Sequence, residues 1–145
     1  GPETVLAETY ACGPVEPLKV SVRAAGLGDV LFLNIGRVLK TCSETCAHHS
    51  KLIRNLLTVS AGKNLNLSRR IFHTSSKSIR GRLLSYLSYQ AVRCGKKEFE
   101  IPFNRQQLAD YLSVDRSALS NELGKMQREG LIVFSRNHFE LKETL

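Results

Sequence analysis

The strongest constraint on this chain lies in residues 98–141, where short elements follow one another with few residues to spare. Glu98 to Phe103 alternates polar and apolar side chains and reads as a short strand. It belongs at a sheet edge, because Pro102 has no backbone donor for a ladder. Asn104, with Gln107 three residues later, forms a capping box and predicts a helix over 105–112 with Leu108, Ala109 and Leu112 inward. Ser113-Val114 makes a tight turn. Asp115 then caps a helix over 116–129 with Leu119, Leu123 and Met126 inward, and Gly130 stops it. Leu131 to Phe134, a turn at 135–138, and Phe139 to Leu141 read as a hairpin.

Helix, short turn, helix, hairpin is the order of a winged helix-turn-helix. Leu108, Ala109, Leu112, Val114 and Leu119 stand where two steeply crossing helices must touch, and a side chain larger than Ala109 would hold them apart. The second helix then offers Arg116, Ser117, Ser120 and Asn121 to a DNA major groove. Arginine forks onto guanine, asparagine onto adenine, and serine bonds either. Arg105, Gln106, Lys125, Arg136 and Asn137 are expected where backbone phosphates come within reach.

Charge agrees with this reading. The chain has 145 residues and a formal net charge of +8. Residues 1–40 carry four basic and four acidic side chains, so the excess lies wholly in residues 41–145, with 17 basic and 9 acidic. A localised basic excess is the footprint of a polyanion partner. Apolar residues at 42% and charged residues at 23% exclude a disordered chain. No apolar run approaches the roughly 18 residues of a membrane span. No secretory signal opens the chain, so a cytoplasmic location is expected.

Upstream, residues 4–36 read as strands. Val20, Val22 and Ala24 alternate with Ser21 and Arg23, and Asp29 to Ile35 is a short apolar run. Leu52, Ile53, Leu56, Leu57 and Val59 follow the spacing of one helical stripe, and Leu65, Leu67, Ile71 and Phe72 extend it past Gly62. A helix of this length has too little neighbouring sequence to cover its stripe, so pairing with a second copy is expected, with those first five residues as the dimerisation set. Ser75-Ser76 offers cap chemistry for a further helix to about Arg93, with Ile79, Leu83, Leu84, Leu87 and Ala91 on one face and Cys94-Gly95 at its end.

The stretch Ile101-Pro-Phe-Asn-Arg-Gln-Gln-Leu-Ala-Asp-Tyr-Leu-Ser-Val-Asp-Arg-Ser-Ala-Leu-Ser-Asn121, continued by Glu129-Gly-Leu-Ile132, resembles the Crp/Fnr family of bacterial transcription regulators. The long helix near 46–74 resembles the family's dimerisation helix, and residues 3–40 resemble the end of its cyclic-nucleotide-binding-like β-roll. The resemblance implies an α+β chain in three parts. These are a partial β-roll over 1–40, a long dimerisation helix over 41–74 and a C-terminal winged helix-turn-helix over 75–145. It also implies a homodimer on a palindromic promoter site of double-stranded DNA, with RNA polymerase as a further partner. By motif position Arg116, Ser117, Ser120 and Asn121 fall on the family's base-reading positions. The family often has Glu where Ser117 stands, Arg where Asn121 stands and an apolar residue where Glu122 stands, so the target half-site is expected to differ. About half of the roll is expected to be absent from this chain. The region Glu3 to Val20 has Leu18-Lys19 where the family's nucleotide-binding loop places an Arg-Ser pair, which argues against cyclic AMP as ligand.

Four cysteines are too few and too scattered for a disulfide scaffold. Cys42, Cys46 and His49 would share one helical face, and thiolates with an imidazole suit zinc or redox sensing. That makes a metal- or redox-sensing interaction module the alternative function. A second ligand pair is missing, so two buried thiols at a helix start are the plainer expectation, and no cofactor is assigned. No Gly-rich phosphate loop, Ser/His/Asp order or HExxH appears, and His73 and His138 are given packing or surface roles, so no enzyme is expected.

Overall fold

The computed structural model describes residues 5–13, 17, 19, 21–40 and 47–142. The chain divides into two compact units, residues 1–65 and 66–145.

In the first unit, α1 (Glu8–Cys12) and α2 (Ile35–Val38) are short. Asn34 caps α2 by accepting a hydrogen bond from the Arg37 N–H at 3.1 Å. Glu8 is buried and accepts a 2.8 Å bond from Lys63 Nζ; that hydrogen bond holds its carboxyl below the ordinary value. The strands expected within 4–36 are not found among the described residues of that stretch, and neither is the partial β-roll expected over 1–40. Val20 lies outside the described residues. The physical reason is pairing: an isolated apolar run has no ladder to join. Val30, Leu31 and Phe32 accordingly stay 74%, 82% and 91% exposed.

The long helix α3 (Ala47–Thr74) has 28 residues and contributes to both units. Gly62 is accommodated without a break. Within the stripe, Leu52, Ile53, Leu56 and Val59 are half-buried, whereas Leu57 is 66% exposed; Leu65, Leu67, Ile71 and Phe72 are also exposed. Residues 41–46 lie outside the described residues.

The second unit begins inside α3, earlier than the expected boundary at 75. The helix α4 (Ile79–Cys94) is capped by Ser78, whose Oγ accepts from the Gly81 N–H at 3.0 Å, and not by Ser75-Ser76. Those two serines instead finish the preceding turn. Ser75 Oγ donates to the Phe72 carbonyl, and Ser76 Oγ accepts from the Ser78 N–H. Gly95, at φ 64, closes α4 in the left-handed region that glycine enters without strain.

After α4 come β1 (Glu98–Glu100), α5 (Arg105–Leu112), α6 (Arg116–Arg128), β2 (Ile132–Ser135) and β3 (His138–Leu141). The sheet has order β1-β3-β2, both pairs antiparallel, with Phe139 opposite Phe99 on one side and Phe134 on the other. The expected edge position of β1 is what the sheet has. One core joins these elements. Leu83, Leu87, Leu108, Ala109, Leu112, Leu119, Leu123, Met126, Ile132 and Phe139 are fully buried, with Tyr86, Phe99, Ile101 and Leu141 nearly so. Ile79, Leu84 and Ala91 of the expected α4 face pack on its margin, while Tyr86 takes a central place that the periodicity did not single out. Burying apolar area at about 25 cal/mol per Å² is the main force holding the helices and sheet together.

Candidate nucleic-acid interface

The site is built from the turn outward. The capping box at α5 is complete: Asn104 Oδ1 accepts from the Gln107 N–H and Gln107 Oε1 accepts from the Asn104 N–H, both at 2.9 Å. Ser113 ends α5 in the left-handed region at φ 54. Asp115 starts α6 by accepting from the Ala118 N–H at 2.9 Å and from Ser117 Oγ at 2.7 Å. The Ser117 hydroxyl first, and the Ala118 N–H next, hold the Asp115 carboxyl below its ordinary value, so the cap stays charged at the positive end of α6.

The four expected base-reading residues lie together on the exposed side of the first turns of α6, opposite buried Leu119 and Leu123. Ser117 donates its hydroxyl proton to Asp115, and Ser120 donates to the Arg116 carbonyl at 3.0 Å. Both serines therefore turn acceptor lone pairs outward. Arg116 and Asn121 are exposed and project from a helix whose other face is locked in the core.

The expected phosphate-side residues divide. Arg136 and Lys125 are exposed, with Lys125 Nζ 4.0 Å from Glu122. Gln106 is exposed and donates to Asp110 Oδ1 at 2.9 Å. Asn137 sits in the hairpin turn, where its Nδ2 reaches the Ile101 carbonyl at 3.4 Å. Arg105 does something the sequence did not suggest. Its guanidinium lies 5.0 Å from the Phe134 ring centre and 5.9 Å from that of Phe139, and Nη2 donates to the Arg136 carbonyl at 3.2 Å. Burial lowers its pKa from the ordinary value. Arg105 thus fastens the hairpin to α5.

Three further arginines were not singled out by spacing, yet they hold the helix-turn-helix. Arg70 on α3 donates to the Asp110 and Tyr111 carbonyls at 2.8 and 3.1 Å. Arg82 on α4 donates to the Leu112 and Ser113 carbonyls at 3.0 and 2.9 Å and to the Ser76 carbonyl at 2.8 Å. Together they satisfy the carbonyls that the end of α5 leaves open. Arg80 forks from α4 onto Glu122 and Glu129 of α6. The seven-residue interval between those glutamates places them on one α6 face, a signal that was present in the sequence. Where the family resemblance expects an apolar residue, Glu122 is ion-paired, and Leu123 beside it fills the core.

Of the expected metal cluster, Cys42 and Cys46 lie outside the described residues, and the His49 imidazole lies against the Val38 carbonyl. Among the described residues no group of three or more His, Cys, Asp or Glu side chains gathers as a metal site. No helix among them is long and apolar enough to cross a membrane.

Comparison of the whole chain with curated proteins gives no match. Comparison with family models matches residues 81–144 to the Crp-like helix-turn-helix domain, a span running from α4 through β3. Over these residues the chain is similar to the Crp-like helix-turn-helix domain.

Proposed function

We propose that this chain is a sequence-specific transcription regulator of the Crp/Fnr type that binds a palindromic promoter site as a homodimer in a bacterial cytoplasm. The observation that carries the reading is the outward face of α6: Arg116, Ser117, Ser120 and Asn121 exposed, on a helix whose opposite side is fully buried. Arg116 forks onto guanine O6 and N7, Asn121 pairs with adenine N6 and N7, and the two serine oxygens accept from adenine or cytosine amino groups. Arg136, Lys125, Gln106 and Asn137 set the register on phosphates, with Arg105 supporting the hairpin from beneath. The exposed apolar row of α3 from Leu57 through Leu65 and Ile71 supports pairing of two long helices. Two copies would then present their α6 helices about one DNA turn apart. The family resemblance alone carries RNA polymerase as partner and residues 1–40 as the remnant of a sensor roll.

The test is a fluorescence-anisotropy titration of a random-sequence duplex over a range of salt. The reading expects binding whose logarithm falls linearly with the logarithm of salt, as counterions are released from phosphates. Binding that ignores salt, or none at all, contradicts it.

A further inference from the structure

The last turn of α3 rests on the helices beside it through one buried histidine. His73 is 1% exposed, and its contacts all lie within the second unit. Around the imidazole stand Phe72 of α3, Tyr86 and Tyr89 of α4 and Tyr111 of α5, with ring centres 5.7, 5.7, 5.3 and 6.2 Å away. Nδ1 shares a 2.9 Å hydrogen bond with Ser85 Oγ of α4, whereas Nε2 is buried with no hydrogen-bond partner among the described residues. Three residues earlier, Arg70 donates to the Asp110 and Tyr111 carbonyls at the end of α5. Tyr111 is thus gripped twice, by its ring and by its carbonyl, just ahead of the turn into α6.

We infer that His73 is a pH-sensitive latch: as a neutral imidazole it docks the end of α3 on α4 and α5, and on taking a proton it releases them and weakens DNA binding. The inference rests on the DNA-binding reading above and gives it a means of regulation. A neutral imidazole carries one N–H, and Ser85 serves Nδ1 in either tautomer. An imidazolium carries two, so a charged N–H would stand at Nε2 without an acceptor, out of reach of water. Aromatic faces attract cations, but two of these rings already hold one: Arg69 lies 5.4 Å from the Tyr89 ring centre and Arg70 5.8 Å from that of Tyr111. The charged and titratable groups set around His73 are therefore Arg69 and Arg70 of α3, Tyr86 and Tyr89 of α4 and Tyr111 of α5. No carboxylate forms an ion pair with it among the described residues. Burial first, and Arg69 second, hold the imidazole below its ordinary value, so the docked form favours the neutral ring. A released imidazole takes its proton nearer the free value of about 6.5, and falling pH draws the chain toward release. The turn ahead of α6 then loses the support of α3.

The experiment titrates a random-sequence duplex by anisotropy at fixed salt, with the parent and with His73→Phe, from about pH 7.5 to about pH 5.5. The chain has no Trp and four Tyr, of which Tyr86, Tyr89 and Tyr111 surround His73, so tyrosine fluorescence follows melting at each pH and reports on this site. His73→Gln takes the place of His73→Phe if the latter melts below the assay temperature. The other histidines gain charge alike in both chains, so the difference between them is the readout. The inference expects the parent to lose at least about fivefold in affinity relative to the variant, one linked proton setting a limit of about tenfold per pH unit. Parallel affinity profiles, or a loss found only where the parent has melted, overturn the inference and leave the DNA-binding reading standing. Absent or salt-independent binding of the parent at about pH 7.5 removes that reading, and the inference with it.

Discussion

Arg80 Nε donates to Glu122 Oε1 at 2.6 Å, tying α4 to the helix that exposes Arg116, Ser117, Ser120 and Asn121, while Nη1 and Nη2 of the same guanidinium reach Glu129 at 2.7 and 2.9 Å. The bidentate geometry onto Glu129, with a second carboxylate on Nε, keeps Arg80 protonated more firmly than a free arginine, Glu129 first and Glu122 second. The pair fixes α6 in place without contributing to the apolar core. Arg80→Ala and Glu122→Ala should each lower the melting temperature and weaken DNA binding. The double variant should be little worse than the poorer single one, because both remove one interaction. Additive effects in a double-mutant cycle would show that the two residues act separately.

Ala109 is fully buried in the core where α5 meets α6. A Leu at this position should cost about 1–3 kcal/mol by overpacking. Leu119→Ala, which removes a fully buried side chain on α6, should cost about 2–5 kcal/mol by leaving a cavity. Urea unfolding measures both. A change within about 0.5 kcal/mol, as surface sites give, would contradict the packing described here.

His73 is the titratable group whose burial has the clearest consequence. It is 1% exposed at the end of α3, shares a 2.9 Å hydrogen bond with Ser85 Oγ, and is ringed by Phe72, Tyr86, Tyr89 and Tyr111. Burial, and secondarily the Arg69 cation, hold its pKa below the ordinary imidazole value. A depressed folded value means the unfolded chain takes the proton first. Stability is therefore full above the unfolded value of about 6.5 and is lost as pH falls from there through the folded value. The slope should reach at most one proton, about 1.4 kcal/mol per pH unit. Melting temperatures of the parent and His73→Phe across this range should diverge, with the variant flatter on the acid side. Parallel profiles would contradict the assignment.

Leu57 is 66% exposed on the α3 face expected to pair. If that face meets a second copy, Leu57→Glu should shift the chain from dimer to monomer in sedimentation, with the melting of residues 81–144 unchanged. It should also weaken binding to a two-half-site duplex more than to a single half-site, since linkage of two sites is lost. A dimer that survives the charge would place the contact elsewhere.

The parts legible in the sequence were those set by local chemistry. Asn104 with Gln107, Asp115, Gly95 and the Leu108–Ala109–Leu112 triplet specify caps, ends and an inward face within a few residues, and each is found as read. Parts that depend on distant partners were not legible. Val30 to Leu33 looks like a buried strand, yet a strand exists only with a neighbour. Ser75-Ser76 and Ser78 offer the same cap chemistry, and the spacing does not tell that Ser75 and Ser76 finish the preceding turn while Ser78 caps α4. Arg70, Arg80, Arg82 and Arg105 look like solvated charges, because nothing in their spacing tells which carbonyl or ring they will meet after folding. At Arg105 the spacing gives no sign of the two rings that its guanidinium meets.

The most direct measurement is selection of bound sequences from a pool of random duplexes, carried out in parallel with the unchanged chain and with Arg116→Ala. The account predicts a two-fold symmetric motif for the parent. For the variant it predicts the same motif relaxed at one position in each half, at a cost of about 1–3 kcal/mol on the parent's best site. A pool that stays random with the parent, or a motif that Arg116→Ala leaves unaltered, would contradict the claim that the first turns of α6 read bases.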